Sequence, residues 1–88
     1  MTSKNFLITS KNEYYLEIYE PDDASCVAGF YSSDQPFMAI SVGDVINGTS
    51  LPDMSKKHHV RVTKIEHIIF TNTTSGVTHK VCVHTTAA

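Results

Sequence analysis

Hydrophobic and polar positions alternate along much of this chain, and the pattern is densest between His59 and Thr86. Residues 59–70 read His-Val-Arg-Val-Thr-Lys-Ile-Glu-His-Ile-Ile-Phe, rich in the β-branched and aromatic side chains that suit a pleated strand. Thr71-Asn72-Thr73-Thr74-Ser75-Gly76 supplies turn chemistry, and Val77 to Thr86 alternates again. Together these stretches predict a β-hairpin. Its first arm carries a change of parity. Val60 and Val62 share a face, yet the next apolar residues are Ile65, Ile68, Ile69 and Phe70. Period two cannot hold from Val60 to Ile65, so a bulge or strong bend is expected near Thr63-Lys64. Beyond it Ile65, His67 and Ile69 share one face, and Glu66, Ile68 and Phe70 the other. On the second arm Val77, His79, Val81 and Val83 lie opposite Thr78, Lys80, Cys82 and His84.

Upstream, Glu13 to Tyr19 alternates cleanly, with Tyr14, Leu16 and Ile18 the expected inward set. Glu20-Pro21-Asp22-Asp23-Ala24-Ser25 ends that strand, since Pro21 fixes φ and the aspartates can bond their own backbone. Residues 26–32 return as a strand, and Gly29 within it predicts a bulge or sharp bend. After Ser33-Asp34-Gln35-Pro36 come Phe37, Ile40 and Val42, with room for a single helical turn over Phe37–Ile40. Gly43-Asp44 then turns the chain into a strand that begins at Val45-Ile46. Residues 47–57 form the longest polar connection, and loops over a rigid sheet are where function concentrates. Phe6-Leu7-Ile8 is a possible short edge strand; otherwise residues 1–12, like the small-residue tail 85–88, are expected to be loose. The whole reads as one all-β domain, residues 1–88: a small antiparallel barrel or roll, SH3-like or a similar partly open barrel, of five or six short strands with no long helix.

Composition adds limits. At 88 residues and 41% hydrophobic the chain can bury a modest core and is not of the disordered class. No apolar run approaches a membrane span, and Phe6-Leu7-Ile8 is too short for a signal-peptide core, so the expected setting is cytoplasmic. Cys26 and Cys82 are the only cysteines; they read as reduced thiols in or near the core, with a single bridge as the alternative. Asn47-Gly48-Thr49 and Asn72-Thr73-Thr74 match the glycosylation pattern but read as turns. Net charge is −2, divided unevenly. Residues 1–44 hold two Lys against seven acids (−5), and residues 45–88 hold five Lys/Arg against two (+3). Opposite charges meeting across neighbouring strands would account for the asymmetry.

Candidate chemistry is sparse. All five histidines, His58, His59, His67, His79 and His84, fall in the second half. His67 and His79 lie on the two arms of the hairpin and are expected near one another. They are the metal-ligand candidates, with a structural role the simpler reading. Cys82 lies between two valines, where a thiol packs rather than reacts. No phosphate loop, nucleophile elbow or paired catalytic carboxylates can be read, and no cofactor is implied, so the expectation is a protein that is not an enzyme. Lys56, Lys57, His58, His59, Arg61 and Lys64 form one basic patch. With Tyr15, Tyr19 or Tyr31 exposed beside it, such a patch would hold single-stranded nucleic acid.

Two resemblances accompany this reading. The run Phe37-x-x-Ile40-x-Val42-Gly43-Asp44-x-Ile46, followed by Val60-x-Val62-x-x-Ile65, resembles the core of ASCH/PUA-like barrels. The Gly-x-Lys-x-x-Glu-x-Arg signature of the ASCH family is absent, so its RNA-related role transfers to no residue. Gly43-Asp44-x-Ile46, Val62-x-x-Ile65-Glu66-His67-Ile68-Ile69 and His79-x-x-x-Val83-x-Thr85 are similar to short uncharacterised bacterial all-β proteins. That likeness implies a small β fold and no activity. The function expected is a binding module that docks a protein partner or a second copy of itself, with RNA or single-stranded DNA at residues 56–64 as the alternative.

Overall fold

The computed structural model describes residues 10–88. Five strands form a single curled sheet, a half-barrel: β1 Glu13–Glu20, β2 Asp23–Ser33, β3 Val45–Ile46, β4 Val60–Thr71 and β5 Val77–Ala87. Their order in the sheet is β2-β1-β5-β4-β3. The fold is all-β, as the alternation implies.

The expected hairpin is the β4–β5 pair, antiparallel from Val60↔Ala87 to Thr71↔Val77. Its register slips between Val62 and Lys64, where the change of parity required it. Thr63 is the extra residue, and it lets Val62 and Ile65 both face the concave side. A second irregularity lies between β1 and β2, where Ile18 pairs with Gly29 and Tyr19 with Val27. Ala28 is the residue passed over, one position from the glycine that signalled a bend. A further slip follows at once, between Tyr19↔Val27 and Glu20↔Asp23, and together these irregularities curl the sheet.

One pairing has no antiparallel precedent in the local pattern. β1 runs parallel to β5, from Glu13↔Thr78 to Ile18↔Val83. The first hairpin is thereby laid beside the last one. The expected loose tail is ordered by this arrangement. β5 continues to Ala87, Thr85 is buried and donates its hydroxyl to the Tyr19 carbonyl, and the Ala88 amide donates to the His59 carbonyl. Phe6-Leu7-Ile8 lies outside the described residues.

Leu16, Ile18, Ala28, Val60, Val62 and Val83 line the concave face, and Leu51 and Met54 cover them from the 47–57 connection. Leu51, Val60, Val62 and Val83 are almost wholly enclosed, and each contributes about 1.5–3 kcal/mol by leaving water. The connection closes the half-barrel. Its Asp53 amide donates to the Ala28 carbonyl of β2, left free by the bulge, and Ser55 donates to Glu20. Asn47 caps a 3₁₀ turn at Gly48–Ser50 by accepting from the Thr49 amide. At Gly48 a side chain would run into the His58 carbonyl, so the two ends of the connection touch there. The single helical or 3₁₀ turn for which Phe37–Ile40 has room does not form; those residues are irregular, and Phe37 and Ile40 pack singly against the core.

The two hairpin turns differ in kind. Asp22 takes positive φ between β1 and β2, and its amide donates to the Thr85 carbonyl. Between β4 and β5 the Asn72 carboxamide oxygen accepts from the Thr74 amide, the Thr74 hydroxyl and the Gly76 amide. Both glycosylation-like triplets therefore act as turns. Among the described residues no helix is long and apolar enough to cross a membrane.

Candidate functional site

Two neighbouring features of the described sheet bear on function: the outer edge of β4 and the cleft on the concave side behind it.

On its outer side β4 is covered only at its start. Val45 pairs with Arg61, Ile46 with Val60, and the Gly43 amide and Asp44 carbonyl bond Val62. β3 is two residues long, so among the described residues nothing pairs with this side of β4 from Thr63 to Thr71. Toward its end, at Ile68-Ile69-Phe70, the uncovered stretch is apolar on both faces. Ile69 is 63% exposed on the concave side, and Ile68 at 43% and Phe70 at 53% are exposed on the convex side. Two-sided apolarity normally marks a strand between two layers. Among the described residues no second layer covers it, and an exposed hydrophobic edge is a template for another strand. The convex patch extends across the sheet through Tyr15, which stacks on Phe30 at 5.9 Å between ring centroids.

Behind the edge lies a cleft of about 250 Å³ between residues 36–40 and the concave face. Tyr14, Phe37, Met38 and Ile65 supply apolar walls, and His67 and His79 supply nitrogen. In the register His67 pairs with Val81 and Ile69 with His79, so the two imidazoles are diagonal neighbours. His67 Nδ1 and His79 Nε2 stand 2.8 Å apart, one donating and the other accepting. The expected proximity holds. Two nitrogens are half of what a closed zinc site takes, and no third His, Cys, Asp or Glu joins them in a metal-binding group among the described residues.

The basic patch is divided by the fold. Lys57 donates its ammonium to the Leu51 and Pro52 carbonyls, and Arg61 donates to the Gly43 carbonyl, so both cations brace the connection and the Gly43-Asp44 turn. Lys56, His58 and His59 are exposed on the connection, with His58 Nδ1 turned to the His59 carbonyl. Lys64 faces out from β4 opposite His84. The aromatics are placed elsewhere. Tyr15 is level with Lys80 and Ile68 toward the other end of the sheet, and Tyr31 packs against the core. Tyr19 stands beside His84 at 4.9 Å but donates its hydroxyl to Glu17. Burial, then side-chain hydrogen bonds with Cys82 and Glu17, hold its phenol well above the usual tyrosine range. Lys80 pairs with Glu17 across β1 and β5 at 3.2 Å, so the acidic first half and basic second half do meet across strands.

The two thiols are free and differ in exposure. Cys82 is buried in β5. Cys26 is exposed on β2 rather than in the core, and the nearby Asp23 carboxylate raises its pKa. Asp23 itself is held low because the Ser25 hydroxyl and amide donate to it.

The residues that reasoning from sequence passed over are Ile68, Ile69 and Phe70 as an edge. The signal was present in their two-sided apolarity, but only the two-residue length of β3 leaves them uncovered. Comparison with known proteins adds no relative: no family model, no curated protein and no solved structure matches the chain.

Proposed function

We propose that this protein is a non-catalytic interaction module that docks a partner chain by strand addition along the open edge of β4. One observation carries the reading: residues 63–71 combine an uncovered outer side with exposed isoleucine and phenylalanine on both faces. Backbone pairing would supply affinity, and the alternating side chains would supply specificity. The cleft bounded by Ile65, His67 and His79 adjoins the same strand and suits an apolar side chain of the incoming segment.

The alternative, single-stranded nucleic acid at residues 56–64, has less support. Two of its cations are engaged with carbonyls, and the stacking residues stand apart from it.

The test is capture of extended decapeptides from a displayed library by protein immobilised sparsely enough to keep copies apart. Wild type is expected to enrich peptides with alternating apolar residues, and Ile69→Lys to lose them, because a lysine on an edge opposes strand addition. No enrichment, or enrichment that survives Ile69→Lys, contradicts the reading.

A further inference from the structure

We infer that the strand received by β4 is the β4 of a second copy of this chain, paired antiparallel about a two-fold axis that passes midway between the two Ile69 residues. This inference rests on the edge-docking reading and names its occupant.

The argument is one of register. When a strand pairs with its own copy around a two-fold axis perpendicular to the sheet, each face meets the same face, so the contact is self-complementary. Centred on Ile69, the pairing sets Ile69 against Ile69 on the concave side. On the convex side it sets Ile68 against Phe70 of the second copy, twice over. All the exposed apolar residues of the edge are then opposite apolar residues. Lys64 and Glu66 fall outside the paired segment 67–71, so no carboxylate or ammonium is brought into it.

Registers centred nearer the start of the strand are worse for identifiable reasons. A centre at Ile68 sets Glu66 against Phe70, and a centre at His67 sets Glu66 against Ile68, each desolvating a carboxylate beside an apolar side chain without a partner. A centre at Ile65 drives the second strand toward Val60 and Arg61, where β3 already occupies this side of β4. The Ile69 register leaves β3 clear.

Charge permits the approach, because two copies of net charge −2 repel only weakly. The product is one continuous sheet in which both copies cover the open edge of β4. The convex patch of Tyr15 and Phe30 then continues from one copy to the other through Ile68 and Phe70.

The test is a cysteine placed beside the axis. In a Cys26→Ser background, which removes the exposed thiol, Ile69→Cys brings two sulfur-bearing residues directly opposite, at a Cα separation that a disulfide spans. Under mild glutathione oxidation at micromolar protein, Ile69→Cys is expected to form a disulfide dimer at least about tenfold faster than Met38→Cys, because pairing raises the local thiol concentration. Met38 is the control because it is 92% exposed yet lies off the axis. Sedimentation equilibrium is run alongside on wild type and Ile69→Lys, with a dimer expected for the first and a monomer for the second. A wild type that stays monomeric, or equal cross-linking rates at positions 69 and 38, overturns the second copy as the occupant. If sparsely immobilised protein nonetheless captures extended peptides through the same edge, the docking reading survives with a different partner. If it captures none, both readings fall.

Discussion

The backbone amide of Asp53 donates to the carbonyl of Ala28 across 2.9 Å, joining the middle of the polar connection to the far edge strand of the sheet. Ala28 is the residue bypassed by the β1–β2 bulge, so its carbonyl has no ladder partner at that point. The connection supplies the partner and, through Leu51 and Met54, the lid of the core. A segment whose composition suggests a free functional loop is thus a closing element of the half-barrel.

From this it follows that Leu51→Ala destabilises the fold by about 2–5 kcal/mol, the range for emptying a site enclosed on all sides. Lys56→Ala, on the exposed side of the same connection, is expected to change stability by no more than about 0.5 kcal/mol. Urea denaturation of the two variants checks the contrast. A neutral Leu51→Ala would show that the connection does not close the core.

Gly76 is held by closeness rather than by its backbone angles. The positive φ in the β4–β5 turn belongs to Ser75, whereas a Cβ on Gly76 would stand 2.2 Å from the Lys11 carbonyl oxygen. Asn72 donates to that same carbonyl, the Thr74 hydroxyl accepts from the Lys11 amide, and the Asn12 side chain accepts from the Val77 amide. Gly76→Ala is therefore expected to cost about 1–3 kcal/mol by displacing residues 11–12 and their hydrogen bonds. Ser75→Gly, which relaxes a left-handed residue, is expected to be neutral or stabilising. Thermal unfolding of the pair distinguishes crowding from backbone strain as the reason for the glycine.

The thiols are expected to respond in opposite ways to their surroundings. Cys26 is exposed, but the Asp23 carboxylate beside it disfavours the thiolate and raises the thiol pKa. Asp23→Asn removes that charge, lowers the pKa and increases the thiolate fraction at pH 8, so alkylation by iodoacetamide speeds up. Cys82 stays unmodified in both proteins until denaturant is added. Mass spectrometry of the alkylated chains reads both effects, and an unchanged Cys26 rate in Asp23→Asn would remove the carboxylate as the cause.

Much of the fold was legible because local pattern carries it. The parity change between Val62 and Ile65 requires an extra residue, and Thr63 is that residue. Gly29 announced a bend that falls at Ala28, and the two Asn-containing triplets announced turns. The parallel β1–β5 pairing was not legible. A strand's alternation says which side chains share a face but nothing about which distant strand lies beside it or in which direction. The connection was misread because Leu51 and Met54 are two apolar residues among polar ones, with no periodicity to mark them as a lid. The site was legible in part. The spacing of His67 and His79 about the turn brings them together as expected, whereas Lys57 and Arg61 reach backbone carbonyls that only the folded connection presents.

The pairing of β4 with a second copy of itself is tested most directly by amide hydrogen exchange across residues 63–71 at high protein concentration. Along this antiparallel strand alternate amides point away from β5, where the single chain offers them no acceptor among the described residues. With a second β4 in place, those from His67 to Thr71 exchange at least about tenfold more slowly in wild type than in Ile69→Lys, while amides bonded to β5 are equally protected in both proteins. Rapid and equal exchange of the outward amides in wild type and Ile69→Lys would contradict the account.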